Sequence, residues 1–113
     1  MKFPLKTIFI LALPALALSD AARAETLELS KIDRKTELHI QRGNTKQSVQ
    51  CFAYILKDFQ DRKIRKSDIY VTFDDPNIDG IGVGIAETDE NYTCEAGELR
   101  AWEAGEYRAV KRF

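Results

Sequence analysis

The chain has 113 residues, 17 basic and 18 acidic, with one histidine and two cysteines. That length supports one domain rather than several, and a near-neutral balance gives no reason to expect nucleic acid as a partner. With one histidine, and no free thiol if the two cysteines pair, no Ser-His-Asp or Cys-His set can be assembled in the usual way, and a zinc site would lack its three or four strong ligands.

The first 24 residues read as a cleavable secretory signal. Lys2 and Lys6 form a positive start, and Ile8 to Leu18 is apolar except for Pro14. Ala22-Arg23-Ala24 then supplies the small-x-small pattern of a cleavage site, placing the cut before Glu25. The apolar run is about half of the ~20 residues a membrane span needs, so no stable membrane insertion is expected. There is no twin arginine, which favours export of an unfolded chain. No cysteine lies near the cut, which argues against a lipoprotein. The short start and the alanine-rich end look bacterial, so the expected location is the periplasm or the medium. Removing 24 of 113 residues leaves 89, residues 25–113, as a single small domain. Lys2, Lys6, Arg23 and Asp20 go with the signal, so 14 basic and 17 acidic residues remain, net −3.

From Glu25 to Lys35 the apolar positions are sparse, and the segment reads as a loose arm or a short strand. Leu38 and Ile40 alternate with Glu37, His39 and Gln41, which predicts a strand over 36–41 with His39 on its wet face. Asn44 and Gln47 have the spacing of an N-cap and its return partner. Val49, Phe52, Ala53, Leu56 and Phe59 follow at the spacing of an amphipathic helix, widened by Cys51 and Ile55. Arg62, Lys63, Arg65 and Lys66 suit its negative C-terminal end.

Ile69, Val71 and Phe73 predict a strand. A polar turn follows, then Ile81, Val83 and Ile85 alternate with Gly80, Gly82 and Gly84 in a second, hairpin-paired strand. The glycines leave one face of that strand bare. The expectation is that the helix backbone approaches closely there, with an open face for another molecule as the rival. Tyr92 and Cys94 share a face of the next strand, and Leu99–Trp102 and Tyr107–Val110 flank Glu103-Ala104-Gly105-Glu106 as a terminal hairpin. Cys51 and Cys94, an even pair in an oxidising compartment, are expected to form a disulfide. The long loop it closes would stabilise a small core by ~4 kcal/mol on a chain-entropy estimate. The predicted fold is α+β, one N-terminal helix packed on a 4–5-stranded antiparallel sheet. This layout is similar to that of cystatin-like folds, although Gln47-Ser48-Val49-Gln50-Cys51 is not their Q-x-V-x-G inhibitor loop.

Two features carry chemistry. Asp75, Asn77 and Asp79, followed by Gly80, fit the first half of a calcium loop, in which alternating oxygens converge on a hard cation. The position of the closing glutamate is taken by Ala86, so the expected site is weak. The plain alternative is a hairpin turn, because Asp, Pro, Asn and Gly are turn residues. From Asp74 to Glu106 there are ten acidic residues and one basic residue, Arg100. That asymmetry reads as a solvated face or as a docking surface for a basic protein. Glu95 and Glu98 are the candidate rim charges, and Trp102 or Tyr107 the candidate aromatic anchor. The functional expectation is an exported, non-enzymatic binding module of inhibitor or immunity type that takes a basic protein partner. Its rival is a calcium-binding accessory component of the cell envelope.

Overall fold

A computed structural model describes residues 24–74 and 79–113. Residues 1–23, on which the expected signal falls, and Asp75 and Asn77 of the calcium-like loop lie outside the described residues.

The described residues form six strands and two helices. Strand β1 is Ala24–Glu28, helix α1 Arg34–Arg42 and helix α2 Lys46–Asp61. Strands β2 Ile69–Asp74, β3 Ile81–Ile85, β4 Asn91–Glu95, β5 Glu98–Glu103 and β6 Glu106–Arg112 follow. Short 3-10 turns occupy Leu29–Lys31 and Lys66–Asp68. The strands form one antiparallel sheet in the order β1 to β6, each paired with its neighbour in sequence. The α+β class is as expected, but there are six strands rather than four or five and two helices rather than one.

The extra helix is the segment predicted as a strand over 36–41. Leu38 and Ile40 alternate for too few residues to separate period 2 from period 3.6. The end signal decides. Asp33 is the N-cap, and its side chain accepts the amide N–H of Thr36 at 2.8 Å. Arg34 and Glu37 pair at 3.2 Å across the first turn. Ile40 is the residue α1 buries, and His39 packs edge-on to Phe73 with ring centroids 6.2 Å apart. The extra strand is β1, from the segment read as a loose arm or short strand.

Helix α2 is capped by Thr45, not Asn44: the Thr45 hydroxyl accepts from the Ser48 N–H at 3.2 Å. Its buried face runs through Ser48, Cys51, Ile55 and Phe59, while Val49, Phe52 and Leu56 are half-buried and Ala53 is exposed. The predicted stripe was therefore rotated toward Val49 and Ala53. Apolar identity alone misled, because buried Ser48 looks polar in sequence and still belongs to the core face. The cationic run begins at the C-cap, Arg62, rather than in the last turn.

Against α2 the sheet packs Ile69, Val71, Phe73, Ile81, Val83, Cys94 and Leu99, all 3% exposed or less. The Cys51–Cys94 disulfide bolts α2 to β4 with both cysteines wholly buried. Ile81 and Val83 must fill this core, so Gly82 and Gly84 turn to the opposite face of the sheet. The expected close approach of the helix to the glycines does not occur; on the outer face Gly82 is half-buried and Gly84 is buried.

The two tight turns of the meander share one tetrapeptide. Glu95-Ala96-Gly97-Glu98 joins β4 to β5, and Glu103-Ala104-Gly105-Glu106 joins β5 to β6. In both, the alanine and the glycine have positive φ, 53° and 76° in the first and 51° and 88° in the second. Two central residues at φ > 0 match the twist of a two-residue hairpin.

Candidate functional site

The strand registers set out the outer face, away from the helices. One row across the sheet runs Tyr70, Gly84, Asn91, and another Thr72, Gly82, Thr93, Arg100. Farther along, Trp102 faces Tyr107 across β5 and β6, their rings 5.1 Å apart and nearly perpendicular. This edge-to-face geometry matches the ring quadrupoles. Tyr107 remains 39% exposed, and burial against its neighbours pushes its phenol pKa up. Glu95 and Glu98 are cross-strand partners on the same face. All four predicted partner-binding residues therefore share the outer face. The acids stand beside the β4–β5 turn and the aromatics about 13 Å along the strand, four residues at ~3.3 Å each.

The carboxylates differ in surroundings. Glu98 is only 19% exposed, with Arg100 at 2.8 Å and Arg112 at 3.5 Å, whereas Glu95 is exposed. The wider acidic stretch is met in space by cations from elsewhere in the chain. Arg62 holds Glu90 with two bonds of 2.6 and 2.9 Å, and Arg108 meets Glu106 at 2.9 Å and Glu103 at 3.5 Å. Four carboxylates of that stretch, Glu90, Glu98, Glu103 and Glu106, thus meet arginines in the folded chain.

Asp79 has a different position from the one its calcium-like motif suggests. One oxygen accepts the Thr45 N–H at 2.9 Å and the Thr45 hydroxyl at 3.3 Å; the other accepts the Ser48 hydroxyl at 3.1 Å and the Ala96 N–H at 2.7 Å. The carboxylate thus sits at the N-terminus of α2, where orphan amides and the helix dipole favour an anion. Burial alone would raise its pKa. The bonds from Thr45, Ala96 and Ser48 outweigh that and hold it below the usual carboxylate range. Ser48 in turn accepts the Gly97 N–H at 3.1 Å, and Asn44 accepts the Gly80 N–H at 2.7 Å. A calcium ion on Asp75, Asn77 and Asp79 would have to compete with four protein donors at Asp79. Among the described residues no group of three or more His, Cys, Asp and Glu side chains is placed to hold a metal.

At the other end of α2, Glu90 also accepts the Tyr92 hydroxyl at 2.5 Å, while Arg62 reaches back to Asp58 at 3.2 Å. The Arg62 guanidinium holds the Glu90 carboxyl below the usual range. Burial, then the hydrogen bond to Glu90, pushes the Tyr92 phenol well up. Sequence reasoning found neither polar cluster. Each depends on a bond between residues 17 or more positions apart, and no local motif announces such a bond. The repeated Glu-Ala-Gly-Glu was the signal that could have placed the first of the two hairpin turns.

No protein-family model, curated protein or solved structure matches the chain.

Proposed function

We propose that this is an exported binding module that captures a protein partner on the outer face of its sheet, in the periplasm or the medium. The carrying observation is that Glu95, Glu98, Trp102 and Tyr107 share that face, with an edge-to-face pair of exposed Tyr107 and half-buried Trp102 at one end and an exposed carboxylate at the other. Helix α2 packs on β3, β4 and β5 from the other side, so a partner on this face need not displace the core. Aromatic residues are the usual anchors of protein interfaces, because they bury a large rigid area at small entropic cost. Glu95 suits a basic group on the partner. The Ala22-Arg23-Ala24 pattern and the buried disulfide support export. A cut before Glu25 leaves the pairs Glu25–Phe73 to Glu28–Tyr70 of β1 with β2.

The test is capture from an envelope extract on the immobilised protein, with the Trp102→Ala protein alongside. The expected result is one protein retained by the parent and lost, at least tenfold, from the variant. Equal retention on both would remove the outer face from the reading.

A further inference from the structure

We propose that the helical layer carries a second, separate site: a groove between α1 and α2 that binds a single-chain amphiphile with an anionic head, such as a fatty acid. The groove encloses about 640 Å³, inside the ~300–1,000 Å³ usual for small-molecule sites. Its lining is mainly apolar, with Ile32, Ile40, Val49, Phe52, Leu56 and Ile64 joined by the amides of Gln41 and Gln60. Of these only Ile40 is fully buried; the other five pack half-buried along the slot. A contiguous half-buried apolar strip costs solvation in the free protein, and such strips mark interaction sites.

Two properties select the occupant. The walls are helices, whose backbone N–H and C=O groups are already bonded within each helix, so they offer no ladder to an extended peptide. A peptide would bury its own polar backbone without partners, at a cost of order 1–3 kcal/mol for each group. A docked helix would need a longer wall than α1, whose nine residues span roughly 13 Å. An acyl chain brings no polar groups along its length. The mouth then sets the sign of the head. Arg34, Lys57 and Lys66 stand at the rim with Asp33 and Glu37. Arg34 is paired with Glu37, and the Asp33 carboxylate caps α1. Lys57 is paired at 3.3 Å with Asp61, which does not line the groove. Among the described residues none forms an ion pair with Lys66. With three cations, Arg34, Lys57 and Lys66, against two carboxylates, Asp33 and Glu37, the side chains lining the groove carry a net charge of +1.

The test is calorimetric titration of the disulfide-bonded protein with decanoate, dodecanoate, tetradecanoate and hexadecanoate, each below its micellar concentration. Dodecanol and dodecyltrimethylammonium serve as comparisons. Affinity should rise roughly fourfold per methylene, the value of burying one such group, and level off once the chain outgrows the groove. Dodecanoate should bind more tightly than either comparison. Lys66→Glu should weaken dodecanoate several-fold and leave dodecanol unchanged. Leu56→Glu should abolish binding, and Val49→Glu on the same helix serves if that variant fails to fold. In amide spectra of the unaltered protein, dodecanoate should shift Leu56 and Ile64 and leave Thr93 and Trp102 in place. No binding would overturn the proposal. So would binding independent of chain length, equal binding of the cationic amphiphile, or shifts confined to the sheet. Because the groove lies on the helical side, loss of this site would leave the protein-binding reading of the outer face standing.

Discussion

Asp79 joins three parts of the chain that are distant in sequence: the start of α2, the β4–β5 turn and the loop that leads into β3. Its pKa is lowered in the folded protein, as is that of Glu90. A carboxylate depressed by folding contributes stability that is complete above its unfolded value, about 4. That stability is lost as pH falls through the folded value. The protein should therefore lose stability in acid, below about pH 4, and not between pH 5 and 8 on account of these two groups. Asp79→Asn replaces one accepting oxygen with a donor that faces other donors. It should destabilise the protein at neutral pH by about 1.5–3 kcal/mol, the scale of hydrogen bonds to a charged group. It should also flatten the acid limb of the stability curve. Urea midpoints of both proteins from pH 7 down to pH 2 measure this; parallel curves would show that Asp79 does not carry the acid transition.

At the scale of elements, the hairpin turns and the disulfide each make a prediction. Ala96 and Ala104 sit at positive φ, a region costly for alanine and tolerated by asparagine. Ala96→Asn and Ala104→Asn should each stabilise the protein by up to about 1 kcal/mol, read as a higher melting temperature. Gly97 should refuse alanine. Its φ is +76°, and an added Cβ would lie 2.8 Å from the Gln47 side chain of α2. Cys51→Ala breaks the bolt between α2 and β4 and should cost ~2–5 kcal/mol, as loss of a native disulfide does in small secreted domains. Elements with long, unambiguous patterns were legible in the sequence. Strands β2 and β3 keep a strict two-residue period, and α2 keeps helical spacing over 16 residues. Helix α1 was not legible, because its short alternating run imitates a strand and its decisive signal is a single capping bond from Asp33. Strand β1 was legible only as one of two alternatives, a loose arm or a short strand, because it is a five-residue edge strand with few apolar positions and its partner, β2, lies more than 40 residues on. For the candidate site, the alternation around Cys94 was enough to put Glu95 outside. That Trp102 and Tyr107 would face each other depends on the two-residue turn between them, which fixes the register of β5 against β6.

Across the whole molecule the decisive point is where charge ends up. The run from Asp74 to Glu106 looks like an acidic surface when read along the chain. Folding brings Arg62 to Glu90, sets β6 with Arg108 and Arg112 beside the glutamates of β5, and commits Asp79 to the start of α2. On the outer face Glu95 is exposed, and Glu98 is kept between two arginines. Association with a basic partner should accordingly be steered weakly and held mainly by the aromatic pair. Raising ionic strength from 0.05 to 0.5 M shortens the screening length from above to below ~10 Å. Over that range the association rate should fall by only a few-fold, not by the hundred-fold or more typical of strongly steered pairs. Glu95→Lys should slow association by a similar few-fold factor, with dissociation unchanged, because a rim charge acts on encounter. Trp102→Ala should do the reverse, speeding dissociation at least tenfold with little change in the association rate. Surface-binding kinetics of the three proteins against the captured partner separate these effects. A steep salt dependence, with Trp102→Ala silent, would mean that the acids rather than the aromatics hold the complex, and that a cationic partner reads the carboxylates despite their arginine neighbours.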